Sequence, residues 1–269
     1  MNGDVIIFKE NNLISLQTDS TSKGNQKKWY NRKTDCYIKA QFYYQDKYWR
    51  DDLVEILGSA IGKQLNLTDK HVSVLHQEPC NIELMSHQTM HGVYSKNFCK
   101  KGERFLSFQR ILLLNGLDFP YLASVEDKWN FVINTMHRFC NVNYTDYLIV
   151  MAIIDFLIGN EDRHLNNFGV LTDDSTYRLL PLFDFGLGLF EHDRRYEGEP
   201  LRSCLTMMEC KPFHRNNCKV IDYIRNHYRL EDYLPPQLDL EGYEFPSAKS
   251  TSYLLNRSRY LGIKVKGCN

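Results

Sequence analysis

The segment YTDYLIVMAIIDFLIG, residues 144–159, constrains this chain more than any other. It is apolar nearly all round. As a helix it has no face to offer water, so it must lie inside a core. Nine residues, Asn160 to Phe168, follow at once with three charged side chains, a histidine and three asparagines. Aliphatic residues then resume in GVL, 169–171. Polar groups crowded between two buried segments have three readings: a polar turn, a metal site, or the catalytic loop of an enzyme.

A chain of 269 residues suits one large domain or two modest lobes. Hydrophobic residues make up 43% and charged residues 25%, both ordinary for a globular protein. Basic and acidic residues balance at 33 each. With no global basic field, neither a nucleic-acid partner nor an anionic membrane is expected. No segment approaches the ~18–20 apolar residues that span a bilayer. The start, MNGDVIIFKENN, lacks a basic stretch followed by a long apolar run, so no secretory signal is expected and the location expected is cytoplasmic. Eight cysteines are scattered without a CxxC pair, and a chain this long needs no disulfide staples, which favours reduced thiols. Cys204, Cys210, His214 and Cys218 are zinc-type ligands, but their irregular spacing matches no usual zinc pattern.

The first third reads as strands around one helix. VIIF (5–8) and CYIKAQFYY (36–44) are β-like and flank a polar stretch, which predicts the start of an antiparallel sheet with a loop. Leu53, Ile56, Leu57, Ala60, Ile61 and Leu65 recur at helical spacing behind Asp51 and Asp52, predicting an amphipathic helix. HVSVLHQ (71–77) and GVYSKNF (92–98) predict two further strands. Helices dominate after about residue 100, with FVINTMHRFC (131–140), the 144–159 segment and KVIDYIRNHYRL (219–230) the clearest. GVL and YRLLPLF (177–183) flank TDDS, a hairpin signal. The expected fold class is α+β and two-lobed: a small β-rich N-lobe with one helix over 1–98, and a larger, mainly helical C-lobe over 99–269.

Phosphoryl transfer needs few parts, and each has a candidate here. One carboxylate positions or deprotonates the acceptor hydroxyl, a second carboxylate and an amide oxygen hold magnesium, and a lysine holds phosphates under a loop. Asp162 and Asn167 have the D-x4-N spacing of a protein-kinase catalytic loop. Asp184-Phe185-Gly186 follows the apolar LLPLF, as a second metal ligand would. Lys39 sits inside CYIKA, where an ammonium is costly unless an anion meets it. Glu55 lies on the next helix, where a lysine-pairing glutamate belongs. The loop Thr21-Ser22-Lys23-Gly24-Asn25-Gln26-Lys27-Lys28 could cover phosphates with backbone N–H groups and lysines. Taken singly, each has a plainer reading. Asp-Phe-Gly is often a turn, Arg163 could form a surface pair beside a capped turn, Lys39 could snorkel from a sheet edge, and Glu55 could be solvated. Together, in kinase order, they are poorly explained by plain structure.

The stretch LIGNEDRHLNNFG, residues 157–169, resembles the loop of the HipA-like serine/threonine kinases, especially their short, single-domain CtkA-type branch. In that family the aspartate precedes Arg-His. Ser22-Lys23-Gly24-Asn25-Gln26-Lys27-Lys28 is similar to the family's phosphate loop, Tyr37-Ile38-Lys39 to its ATP-lysine strand, and Pro181 to Gly186 to its metal-binding segment. Tyr94 to Phe98 stands where the hinge between lobes belongs. The resemblance implies Mg²⁺ and ATP as cofactors and a protein Ser/Thr hydroxyl as acceptor. Asp162 would then be the catalytic base, and Asn167 and Asp184 the magnesium ligands. Lys39, His164 and the loop residues Ser22, Gly24 and Gln26 would meet phosphates, with Glu55 pairing Lys39. Phe183 would stack near adenine, and the backbone of Ser95, Lys96 and Asn97 would bind its edge. It also implies that Thr21 or Ser22 could be an autophosphorylation site. No part of this sequence is matched to the separate N-terminal subdomain of full-length HipA, so an antitoxin partner is not expected to carry over.

Two other classes compete. Phosphoinositide-type lipid kinases share D-R-H-x-x-N, but call for a basic, membrane-facing segment after Asp-Phe-Gly. Here that segment is GLGLFEHDRRYEGEP, of mixed charge. A nucleotide-binding pseudokinase acting as an interaction module would have no need of Lys39, Asp162, Asn167 and Asp184 together. The turn Lys211-Pro212-Phe213 and the helix after it are expected to complete the helical lobe.

Overall fold

The computed structural model describes residues 5–16, 26–44, 47–190 and 194–268. It begins with β1 (Ile6–Lys9), β2 (Ile14–Leu16), β3 (Lys28–Asn31), β4 (Cys36–Ala40) and a small hairpin of β5 (Tyr43–Tyr44) and β6 (Lys47–Tyr48). Helix α1 (Asp51–Gln64), β7 (Glu78–Glu83) and β8 (Thr89–Lys96) complete this part. Next come β9 (Arg104–Ser107), α2 (Phe108–Leu114), α3 (Val125–Cys140), α4 (Thr145–Ile158), β10 (Gly169–Thr172) and β11 (Tyr177–Leu179). The chain closes with α5 (Leu201–Met207), α6 (Asn217–His227), β12 (Gln237–Asp239), α7 (Ala248–Leu261) and β13 (Lys264–Lys266). The class is mixed α+β.

The main sheet has six strands in the order β1-β7-β8-β4-β3-β2. Its two edges are consecutive in sequence, joined only through residues 10–13. Five residue steps reach at most about 18 Å, whereas five flat strand spacings would need about 24 Å. The sheet must therefore curl. This corrects the expected start: VIIF does not neighbour CYIKA but pairs in parallel with β7, Ile6 opposite Cys80. The segment 71–77 is also not a strand. It makes one bridge, Val74 to Leu182, and the strand proper starts at Glu78. Pro79 is tolerated there because β1 pairs only from Cys80 onward, so its missing N–H costs no ladder bond on that side. Likewise β11 stops at Leu179, before Pro181.

Two apolar clusters form. Phe8, Trp29, Ile38, Cys80 and Ile82 fill the inside of the curled sheet. The larger cluster centres on α4, whose residues from Tyr147 to Ile158 are all buried. Helix α1 joins this larger cluster through Val54, Leu57 and Ile61, so it ties the sheet to the helices. Gly159 ends α4 at φ +60, a left-handed cap that glycine adopts without strain. The cap turns the chain sharply out of the core into Asn160, which is where the polar stretch begins.

Candidate active site

Alternation along β4 sends Cys36, Ile38 and Ala40 inward and leaves Tyr37 and Lys39 on the opposite face. Across the ladder Lys28 stands opposite Lys39, and Tyr30 opposite Tyr37. One face thus carries a lysine pair beside a tyrosine pair. Lys39 Nζ donates to Glu55 Oε1 at 2.5 Å and to Asp184 Oδ1 at 2.8 Å. Burial opposes its charge, but Asp184, Glu55 and Asp51 outweigh that and hold the ammonium above the ordinary lysine range. Glu55 is buried rather than solvated. Its Oε2 accepts from Gln77 Nε2 at 2.8 Å and from the Phe185 backbone N–H at 2.9 Å. Lys28 has its pKa lowered, first by burial and then by the neighbouring charge of Lys39.

The polar stretch hangs below this face on a buried network. Arg163 is 1% exposed and grips Asp155 at the end of α4 with two bonds of 2.9 Å, from Nε and Nη2. Its Nη1 donates to the carbonyls of Phe183 at 2.7 Å and Asn167 at 3.3 Å. Asn160 Nδ2 adds a bond to Asp155 at 2.9 Å. The guanidinium therefore ties together the helix end, the polar loop and the segment leading into Asp184. In that frame Asp162 keeps its side chain 44% exposed. Burial first, with Asp184 adding to it, raises its pKa, against the lowering pull of His164 and Lys211. Asp184 behaves oppositely. Although burial works to raise its pKa, Lys39 and Lys28 hold it well below the usual carboxylate range. Its backbone sits at φ +61, a left-handed turn that aspartate tolerates better than bulkier residues.

Asn167 donates its Nδ2 to the Asp162 carbonyl at 3.0 Å, which leaves its Oδ1 as a donor for a cation. Asp184 supplies a carboxylate. One carboxylate and one amide oxygen suit Mg²⁺, which takes its remaining ligands from water and phosphate, so the residues fit that ion. Among the described residues no group of three or more His, Cys, Asp or Glu is arranged to hold a metal, so Cys204, Cys210, His214 and Cys218 do not form such a group.

Aromatic rings extend the site away from the charges. Tyr30 and Tyr37 lie 5.3 Å apart, Tyr37 and Phe98 6.4 Å, Phe98 and Phe183 6.0 Å, and Phe183 and Phe105 5.8 Å. A cavity of about 830 Å³ opens at the Tyr30–Phe98 end of this row, lined by Tyr37, Phe98 and Phe105 together with charged residues such as Arg32, Lys100 and Lys101. Of the residues expected at the hinge, Asn97 reaches the cavity, with its N–H given to the Asp35 carbonyl at 2.9 Å. Ser95 and Lys96 are still within β8, opposite Tyr37 and Cys36. The connection between the sheets is 97–103. Gln26 donates to the Ala40 carbonyl at 3.0 Å and to Asp51 Oδ2, at the junction of β4 and α1. His164 stands half-exposed beside Asp162. Thr21, Ser22 and Gly24 lie outside the described residues.

Sequence reasoning missed three supports, Asp155, Asn160 and Gln77, and read Lys28 as part of a loop although it opens strand β3. Asp155 had a signal. An acid deep in an otherwise apolar helix needs a buried partner, and Arg163 stood eight residues on.

Neither any protein-family model nor any curated protein matches this chain. Among solved structures, the Helicobacter pylori proinflammatory kinase CtkA superposes with a TM-score of 0.55 at 14% identity, covering 96% of this chain and 91% of CtkA. The chain has a CtkA-like kinase fold. HipA of Shewanella oneidensis, solved with HipB and operator DNA, aligns with a TM-score of 0.44 at 11% identity, over 93% of this chain and 54% of HipA. At such identities the CtkA-like likeness is one of fold, and function rests on the residues. No helix among the described residues is long and apolar enough to cross a membrane.

Proposed function

We propose that this chain is an ATP-dependent serine/threonine protein kinase, with 1–98 as its N-lobe and 99–269 as its C-lobe. The observation that supports this most is the Lys39–Glu55–Asp184 cluster, assembled from three distant segments. It faces a loop that presents Asp162 and Asn167. An active kinase needs its strand lysine paired with a helix glutamate and its Asp-Phe-Gly aspartate in place together.

In this reading the aromatic cavity takes the adenine, with Phe183 against it and Asn97 and its neighbours along its edge. Lys39 and Lys28 hold the non-transferred phosphates, with His164 and the loop around Ser22, Gly24 and Gln26 closing over them. Mg²⁺ held by Asn167 and Asp184 would neutralise charge on the phosphate oxygens. Asp162 accepts the proton of the acceptor hydroxyl as its oxygen bonds to the γ-phosphorus and the bond to the β–γ bridging oxygen breaks, releasing ADP. Thr21 and Ser22 are acceptor candidates within the chain itself.

The test is transfer from labelled Mg-ATP to a generic serine/threonine-rich protein and, separately, to phosphoinositide vesicles. Label on protein serine or threonine is the expected result. Label only on lipid would replace this reading with a lipid kinase, and ATP binding without transfer to either would leave a pseudokinase.

A further inference from the structure

The turn around Lys211 is packed against the polar loop residue by residue. A Cβ on Gly159, where the loop begins, would meet Met208 Cε at 3.0 Å. The Glu209 backbone N–H donates to Glu161 Oε1 at 2.8 Å. Buried Cys210 lies within electrostatic reach of Asp155 and Arg163. Three consecutive residues, 208 to 210, therefore follow the loop from 159 to 163, and the next, Lys211, comes within electrostatic reach of Asp162. The turn is rigid. Cys210 and His214 exchange backbone bonds of 2.8 and 2.9 Å, and Lys128 Nζ donates to the Phe213 carbonyl at 3.0 Å. Glu161 is itself fixed by Tyr196 Oη at 2.7 Å and Arg195 Nη2 at 2.9 Å.

Besides Arg163, the loop itself offers this side only the half-exposed His164 beside Asp162. Arg163 is buried and engaged below, and Lys39 is committed to Glu55 and Asp184 above. The Lys211 ammonium is 49% exposed on its side chain, and its ion pair, to Glu209 Oε2, is a loose 3.6 Å. It is free to turn toward an incoming anion. Phosphoryl transfer spreads negative charge over the equatorial oxygens of the moving group, and cations set around them lower the barrier.

Building on the kinase reading, we propose that Lys211 contacts the transferring γ-phosphoryl group from the acceptor side, delivered there from the helical region by the Glu161–Glu209 bond. Phosphoryl transfer measured for Lys211→Met and Lys211→Arg against wild type tests this. The expected result for Lys211→Met is a fall in kcat on the order of 10²-fold, as for other single electrostatic stabilisers. KM for ATP and the melting temperature should hold, with most of the rate restored by Lys211→Arg. Unchanged kcat in Lys211→Met, beside an active wild type, overturns the proposal. So does a loss that tracks a lower melting temperature or is equally deep in Lys211→Arg, because either marks a structural role. Absence of transfer by the wild type overturns the kinase reading and this proposal with it.

Discussion

Two ion-paired regions meet at Asp184, and they differ in how completely they are closed. Below, Arg163 and Asp155 are 1% and 3% exposed on their side chains, and the guanidinium donates to two carboxylate oxygens and two carbonyls. Above, Lys39 and Asp184 retain 19% and 29% exposure while paired at 2.8 Å, and Lys28 adds a second cation across the ladder. The lower region is closed to solvent, with four of the five guanidinium N–H groups bonded. The upper one keeps two lysines among its carboxylates, with Lys39 and Asp184 still partly open to solvent. Neighbouring residues of one polar stretch, Asp162 and Arg163, thus differ in kind: one is partly exposed, the other buried and bonded into the frame.

The largest effect should come from breaking the closed region. Arg163→Met leaves the Asp155 charge buried without its partner, at a cost of about 3–5 kcal/mol in urea unfolding. Arg163→Lys should not restore it, because a single ammonium cannot reproduce the two-pronged grip. A loss below about 1 kcal/mol would show that the region is not closed. The open region should respond in the other way. Lys39→Met is expected to lower kcat/KM for ATP on the order of 10²-fold, the scale of one lost electrostatic contact to phosphate. Its unfolding free energy should fall less than in Arg163→Met, since Glu55 keeps Gln77 and the Phe185 N–H as partners and Asp184 keeps Lys28 nearby and part of its exposure to water. A smaller effect probes the joint between the regions. A Cβ on Gly58 would stand 2.6 Å from Phe185 Cγ, so Gly58→Ala forces the ring to shift. That overpacking should cost about 1–3 kcal/mol and displace Asp184 with it. Stability and rate should fall together.

The polar loop was legible in the sequence because it is local. Asp162 and Asn167 fall within 160–168, where spacing alone shows a charged loop on a buried helix, whereas the grip of Arg163 on Asp155 and the Phe183 carbonyl was not read. Lys39 was legible from strand alternation. Glu55 was identified by position, but its burial was not, since its partners come from 22 and 130 residues away. The curl of the sheet and the parallel seat of β1 escaped for the same reason: strand order is set by distant pairings that leave no periodic trace. Helix α7 went unnoticed because buried Ser250, Arg257 and Ser258 blur its apolar stripe. The cavity escaped because its rings come from two separate segments, 30–37 and 98–105.

The most direct test of the division between acting and holding residues is intact mass after incubation with Mg-ATP and an acceptor protein, wild type beside Asp162→Asn. The prediction is whole added phosphates on acceptor or kinase with the wild type, and none with Asp162→Asn, whose melting temperature matches the wild type because the replaced carboxylate is half-exposed. Equal phosphate with both proteins, or Asp162→Asn losing activity only by unfolding, would contradict the assignment of Asp162 as the residue that acts.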